Sequence, residues 1–138
     1  MFPTNEWAKL GKELDLYTIK ADVQKNRLYV ILVGFFHYDE MKACTDKTIE
    51  EAKKLKPGYD VITDLSKFNP VGKDTLDEVA RGQAFFKKSG IRHGIRVEGK
   101  AALTNLQFSR TGKAVDYNPN IVATMEEAEK LLDSYGNK

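Results

Sequence analysis

The run from Leu28 to Phe36, LYVILVGFF, is continuously apolar. A strand with one wet face alternates apolar and polar residues, so an unbroken run rich in β-branched side chains reads as a strand buried on both faces. Such a strand needs cover above and below the sheet, which points to an α/β architecture. The run is also far too short to span a bilayer.

The flanking sequence supplies that cover. Leu16 to Val23 alternates, with Tyr17, Ile19, Ala21 and Val23 on one face, as in a half-buried strand. Gln24 to Arg27 is a polar turn whose Asn26 tolerates positive φ, so the two strands form an antiparallel hairpin. Asp39 is placed as the N-cap of a helix that turns Met41, Cys44, Thr48, Ala52 and Leu55 to one side, with Lys53, Lys54 and Lys56 near its end. Pro57-Gly58 stops it, and Val61 to Leu65 is the third strand.

Asp74 is placed as the cap of a second helix, with Leu76, Val79, Ala80, Gln83 and Phe86 inward and Gly90 at its stop. His93 to Glu98 reads as a fourth strand, polar enough for an edge. A helix follows within Ala102–Ala114, with Leu103, Leu106 and Arg110 in line. Ile121 to Ala123 is a short strand, and Thr124-Met125-Glu126-Glu127 is a capping box that opens a last helix with Ala128, Leu131 and Leu132 inward. Phe2 to Leu14, with Trp7, Leu10 and Leu14, reads as a helix or arm docked on the core. The order is β-β-α-β-α-β-α-β-α over a single domain. The sheet is mixed and mostly parallel, with an antiparallel hairpin first.

Composition bounds the function classes. With 138 residues, 41% apolar and 30% charged, the chain is that of an ordinary globular domain. A net charge of +2 makes no case for nucleic acid, although residues 67–113 carry 10 basic side chains against 4 acidic. Arg92, Arg96, Lys100, Arg110 and Lys113 would form that basic face. Cys44 is the sole cysteine, which suits a reducing compartment. Met1–Leu16 has no apolar core of a secretory leader, so a cytoplasmic location is the expectation.

The segment from Tyr59 to Leu76, YDVITDLSKFNPVGKDTL, combines a buried strand, an Asp64-Leu65-Ser66 exit, a loop and a helix start. Together with the element order, the Gly90–Glu98 return strand and the Ile121–Leu132 strand with its capped helix, it resembles the STAS domain superfamily, SpoIIAA-like branch, over about residues 14 to 135. That resemblance implies an interaction module, with some members binding nucleotides or small ligands. Antagonist members are switched by a serine phosphorylated at the helix start, in an Asp-Ser-Ser-Gly stretch. Here the stretch is Gly72-Lys73-Asp74-Thr75, so the acceptor position falls on Lys73 or Asp74 and the switch is lost. Thr75 and Ser66 remain as hydroxyls nearby.

Other motifs carry less. Gly94 to Ala101 has the spacing GxxxxGK but ends in alanine where magnesium needs a hydroxyl, and Ile95 and Val97 alternate as a strand does. His37 and His93 lack metal-ligand spacing, so no metal and no cofactor is expected. The expected function is a non-catalytic cytoplasmic regulatory module with a protein partner, acting through Ser66, Lys67, Asn69, Lys73, Asp74 and Thr75. The alternative is a lipid- or nucleotide-like small ligand held in a cleft between Phe36-His37-Tyr38 and the Asp64–Asn69 loop. An enzymatic version would pair Asp64 with His37 as acid and base. No specific nucleic acid is expected, and a homodimer stays open.

Overall fold

The computed structural model describes residues 17–136, so the amino-terminal segment with Trp7 lies outside the described residues. Strands β1 (Tyr17–Asp22) and β2 (Arg27–Gly34) form the hairpin. They are followed by α1 (Tyr38–Ala52), β3 (Asp60–Phe68), α2 (Lys73–Ser89), β4 (His93–Val97), α3 (Ala102–Ala114), β5 (Asn120–Val122) and α4 (Met125–Tyr135). The chain is α/β, in the order read from the sequence. Among the described residues no helix is long and apolar enough to cross a membrane.

The strands lie side by side in chain order, β1 antiparallel to β2 and the rest parallel. Each crossover moves one place in the same direction. Right-handed crossovers therefore stack α1, α2 and α3 on one face, where α1 packs on α2 and α2 on α3. The other face is left to α4. Leu28, Val30 and Leu32 of β2 point into a core with Met41, Cys44, Val79, Phe86 and Phe108. Tyr29 and Ile31 point the other way, to Ile62, Ile95, Val97 and α4's Met125, Ala128 and Leu132. The unbroken apolar run of β2 is thus two alternating stripes, each covered. Every such buried Leu or Ile contributes roughly 1.5–3 kcal/mol.

A polar network pins α4. The Arg27 guanidinium, 2% exposed, donates to Glu129 Oε1 at 2.5 Å and to Asp133 Oδ1 at 3.1 Å. The Tyr29 hydroxyl donates to the same Glu129 carboxylate, 2.8 and 3.0 Å from its oxygens. At the hairpin turn Asn26 is left-handed, φ 54°, and its amide brackets Lys56, donating to the carbonyl and accepting from the N–H. The turn is thereby tied to the loop before β3.

Several sequence expectations change. Strand β4 lies between β3 and β5 rather than at an edge, because β5 pairs beside it. Helix α1 starts one residue after His37, not at Asp39, and Glu40 reaches back to the His37 N–H. It ends at Ala52, so its lysines lie past the last turn, with Lys54 paired to Glu51. Gly72 caps α2, and Asp74 sits in its first turn. Gly90 does end α2, left-handed at φ 90°. Helix α3 turns Thr104, Phe108 and Gly112 inward and leaves Leu103, Leu106 and Arg110 exposed. The Thr104 hydroxyl donates to Phe68 O at 3.1 Å, which sets that face. The Thr124 capping box forms as read, with Glu127 N–H donating to Thr124 Oγ1 at 3.1 Å.

Candidate functional site

The carboxyl ends of β2, β3 and β4 share one rim, where open parallel sheets place their sites. Strand β3 does not exit at Asp64-Leu65-Ser66. Ile31 pairs with Asp64 and Val33 with Lys67, so β3 holds one extra residue there, a bulge, and pairing resumes to Phe68. Ser66 N–H donates to Asp64 Oδ1 at 2.9 Å and closes it. The bulge pushes Ser66 and Lys67 into solvent.

The aromatic cluster after β2 splits. Phe36 is buried and packs edge-on against Phe68, ring centroids 4.7 Å apart, so it fills the space between the strand ends instead of walling a cleft. Phe35, 73% exposed, and Tyr38 face outward. Asn69 N–H donates to Gly34 O, and the Gln107 amide bonds both Val71 N–H and Val71 O, fixing the loop before α2 against α3. Lys73 and Asp74 are exposed at the start of α2, whereas Thr75 is buried at 2% and presents no hydroxyl to a kinase. Asp64 shares its row with Ile31 and Val97, on the α4 face. His37 is the N-cap residue of α1, which packs on the other side of the sheet.

A second place emerges beneath α1 and α2. A cavity of about 50 Å³ is lined by Val30, Leu32, Met41, Val79 and Phe86 together with Gln83, Arg96 and Tyr117, whose ring packs on Phe86 with centroids 5.6 Å apart. Arg96, assigned from sequence to an exposed basic face, is 3% exposed. Its guanidinium donates to Phe108 O at 3.3 Å, lies 3.6 Å from Glu98 and sits over the Phe108 ring. Gln83 Nε2 donates to the same Phe108 O at 3.2 Å, so the two side chains are neighbours. Arg92, the second member of that basic face, is a bidentate partner of Asp60, which leaves Lys100, Arg110 and Lys113 exposed.

Strand register explains the placement. Val30, Thr63 and Arg96 are partners across β2, β3 and β4, so Arg96 points to the face covered by α1, α2 and α3, while Ile95 and Val97 on either side of it point to α4. A Cβ on Gly94 would come within 2.5 Å of the Tyr117 hydroxyl, which shows how closely that phenol lies on β4. Tyr117 Oη and Gln83 Oε1 are buried and have no hydrogen-bond partner. Desolvation lowers the Arg96 pKa from its ordinary value, opposed by Tyr117 and Glu98, and burial raises that of the Tyr117 phenol. Cys44, also on the wall, is pushed up to about 12 by burial. The sequence did carry a signal for this site: a charged residue between two β-branched ones in a buried strand, and a glutamine on the inner stripe of α2.

Neither protein-family models nor curated protein sequences match this chain.

Proposed function

We propose that this chain is a non-catalytic, STAS-like regulatory module of the cytoplasm that receives a protein partner on the rim at the carboxyl ends of its parallel strands. One observation carries the reading. Of the exposed large apolar side chains among the described residues, Phe35, Tyr38, Leu103 and Leu106 all belong to the segments that leave this rim. Exposed apolar side chains gathered in one region mark interaction surfaces, whereas scattered single ones do not. Exposed Lys67, Lys73 and Lys100 lie on the same segments, and four helices begin at this rim with their positive ends outward, against Asp39, Glu40, Asp74, Glu126 and Glu127 in their first turns. An acidic segment with apolar anchors complements such a surface. With lysine and aspartate where antagonists carry a serine, the surface would be constitutive rather than switched by phosphate.

The test is native mass spectrometry on protein purified gently from its own host. A stoichiometric protein partner should accompany the wild type and be lost from Phe35→Ser and Lys73→Glu. Val23→Ser, at the opposite end of the strands, should keep it. Lys73 is exposed, so its replacement should move stability by no more than about 0.5 kcal/mol. Retention of the partner by both rim variants, equal loss from all three, or a bare chain throughout would refute the proposal.

A further inference from the structure

We infer that the cleft at the amino ends of β3 and β4 is a binding site for a small phosphate monoester with an apolar body, its dianion held by Lys25 and Lys56. The cleft lies at the far end of the strands from the rim and does not depend on it. Two segments build it. The turn between β1 and β2 supplies Val23, Gln24 and Lys25, and the chain between α1 and β3 supplies Lys54, Lys56 and Pro57. Asp60 and Arg92 complete it. The walls are tied to one another before any ligand arrives. Asn26 brackets Lys56 with bonds of 2.9 and 3.1 Å, Asp60 N–H donates to Asn26 O at 3.0 Å, and Gly58 N–H donates to Gly90 O at 2.6 Å. A site held in this way loses little further freedom on binding.

Charge identifies the ligand. Four cationic side chains line the cleft against a single carboxylate, that of Asp60. Asp60 is engaged by Arg92 at 2.6 and 3.0 Å, and Lys54 pairs with Glu51 at 2.6 Å. Asp22, at the turn, is buried and accepts the Lys25 N–H at 3.1 Å. The ammonium groups of Lys25 and Lys56 have no carboxylate partner among the described residues. The dipole of α1 favours cations in its last turn only, whereas Lys56 lies beyond its end and Lys25 belongs to a different element. Two unpaired ammonium groups in one concave cleft match a phosphate monoester, which carries about −1.5 to −2 near neutral pH. The Gln24 amide adds a neutral donor. Val23, 62% exposed, and Pro57 make the rest of the wall apolar, which sets the character of the ester's body. At about 320 Å³ the cleft is roughly twice a cavity that takes up benzene, room for about ten to twelve heavy atoms. A concave site with so little apolar surface suits a free ester rather than a bilayer, which takes a broad apolar face.

The experiment is calorimetric titration of the intact protein with phenyl phosphate, an ester of that size. Inorganic phosphate, which lacks the body, and phenol, which lacks the charge, serve as comparisons. Phenyl phosphate should bind one to one with a Kd below about 1 mM, inorganic phosphate about fivefold more weakly, and phenol not at all. Lys25→Gln and Lys56→Gln should each weaken phenyl phosphate about fivefold, and Tm should hold because neither ammonium is paired. Lys113→Gln removes the same charge from the exposed end of α3 and should leave binding unchanged. Val23→Ser should weaken phenyl phosphate but not inorganic phosphate. Vesicles of four parts phosphatidylcholine to one part phosphatidate should leave the protein in the supernatant. No saturable binding of phenyl phosphate, equal binding of phenol, a loss as large in Lys113→Gln as in the cleft variants, or capture by the vesicles would overturn the inference.

Discussion

Replacing Glu129 by alanine tests the network that holds α4 on the sheet. The Arg27 side chain is 2% exposed and Glu129 is its close partner at 2.5 Å. Breaking a buried pair by removing one member costs about 3–5 kcal/mol, because the other charge stays buried. Asp133 still reaches Arg27 at 3.1 Å, but it is 60% exposed and contributes no more than about 1 kcal/mol. Tyr29 also loses the carboxylate its hydroxyl donates to. The expected loss is therefore about 3–4 kcal/mol, near the lower end of the range. For a chain of this size that lowers Tm by about 10–15 °C. Urea unfolding of Glu129→Ala, Arg27→Met and Arg27→Met/Glu129→Leu measures it. Arg27→Met alone should cost less, since Glu129 is part-exposed and keeps Tyr29, and the double variant should return most of the stability. A loss below about 1 kcal/mol for Glu129→Ala would refute the reasoning, as would simple additivity in the double variant.

Two further outcomes follow from the core. The Cys44 thiol has a native pKa of about 12 against 9.0 for a free thiol, so the folded state keeps a proton that the unfolded chain loses. Stability should then fall by about 1.4 kcal/mol per pH unit as pH rises above 9, the unfolded state binding fewer protons. Tyr29 and Tyr117, also raised, steepen the fall above 10, and urea midpoints between pH 8 and 10 should stay level in Cys44→Ala. Gly90→Ala should cost more than the roughly 1–2 kcal/mol of a left-handed residue, since its Cβ would press on Pro57 Cβ at 3.3 Å; Gly58→Ala, equally left-handed at φ 90° but in open space, gives the strain alone. Equal losses from the two in thermal denaturation would discount the contact.

The elements were legible because their signals are local. Period two in β1, the unbroken run of β2, the period near 3.6 in α1 and α2, the Gly90 stop and the Thr124 box each arise within a few residues. Their order then leaves few topologies once crossovers must be right-handed. Helix α3 was misread because its inner face is Thr104, Phe108 and Gly112, positions chosen by the Phe68 carbonyl and the helix beside it rather than by apolar spacing. The Asp64-Leu65-Ser66 exit was misread for a related reason. Polar side chains on a strand resemble its end, but pairing with Val33 and Gly34 carries β3 on to Phe68.

Fold class, element order, the Gly90 stop and the Thr124 capping box were determined by the sequence alone, whereas the caps of α1 and α2 fell on His37 and Gly72 instead of Asp39 and Asp74. Tertiary structure decided which side chains meet. Arg96 reads as one of several surface cations until β5 pairs outside β4 and makes its strand interior. Gln83, Arg96 and Tyr117 then converge across α2, β4 and the loop after α3. Glu129 finds Arg27 across 102 residues of chain. Such pairings depend on strand order, register and which face each helix covers. Those are set by the summed burial of the whole domain, so no local window of sequence contains them.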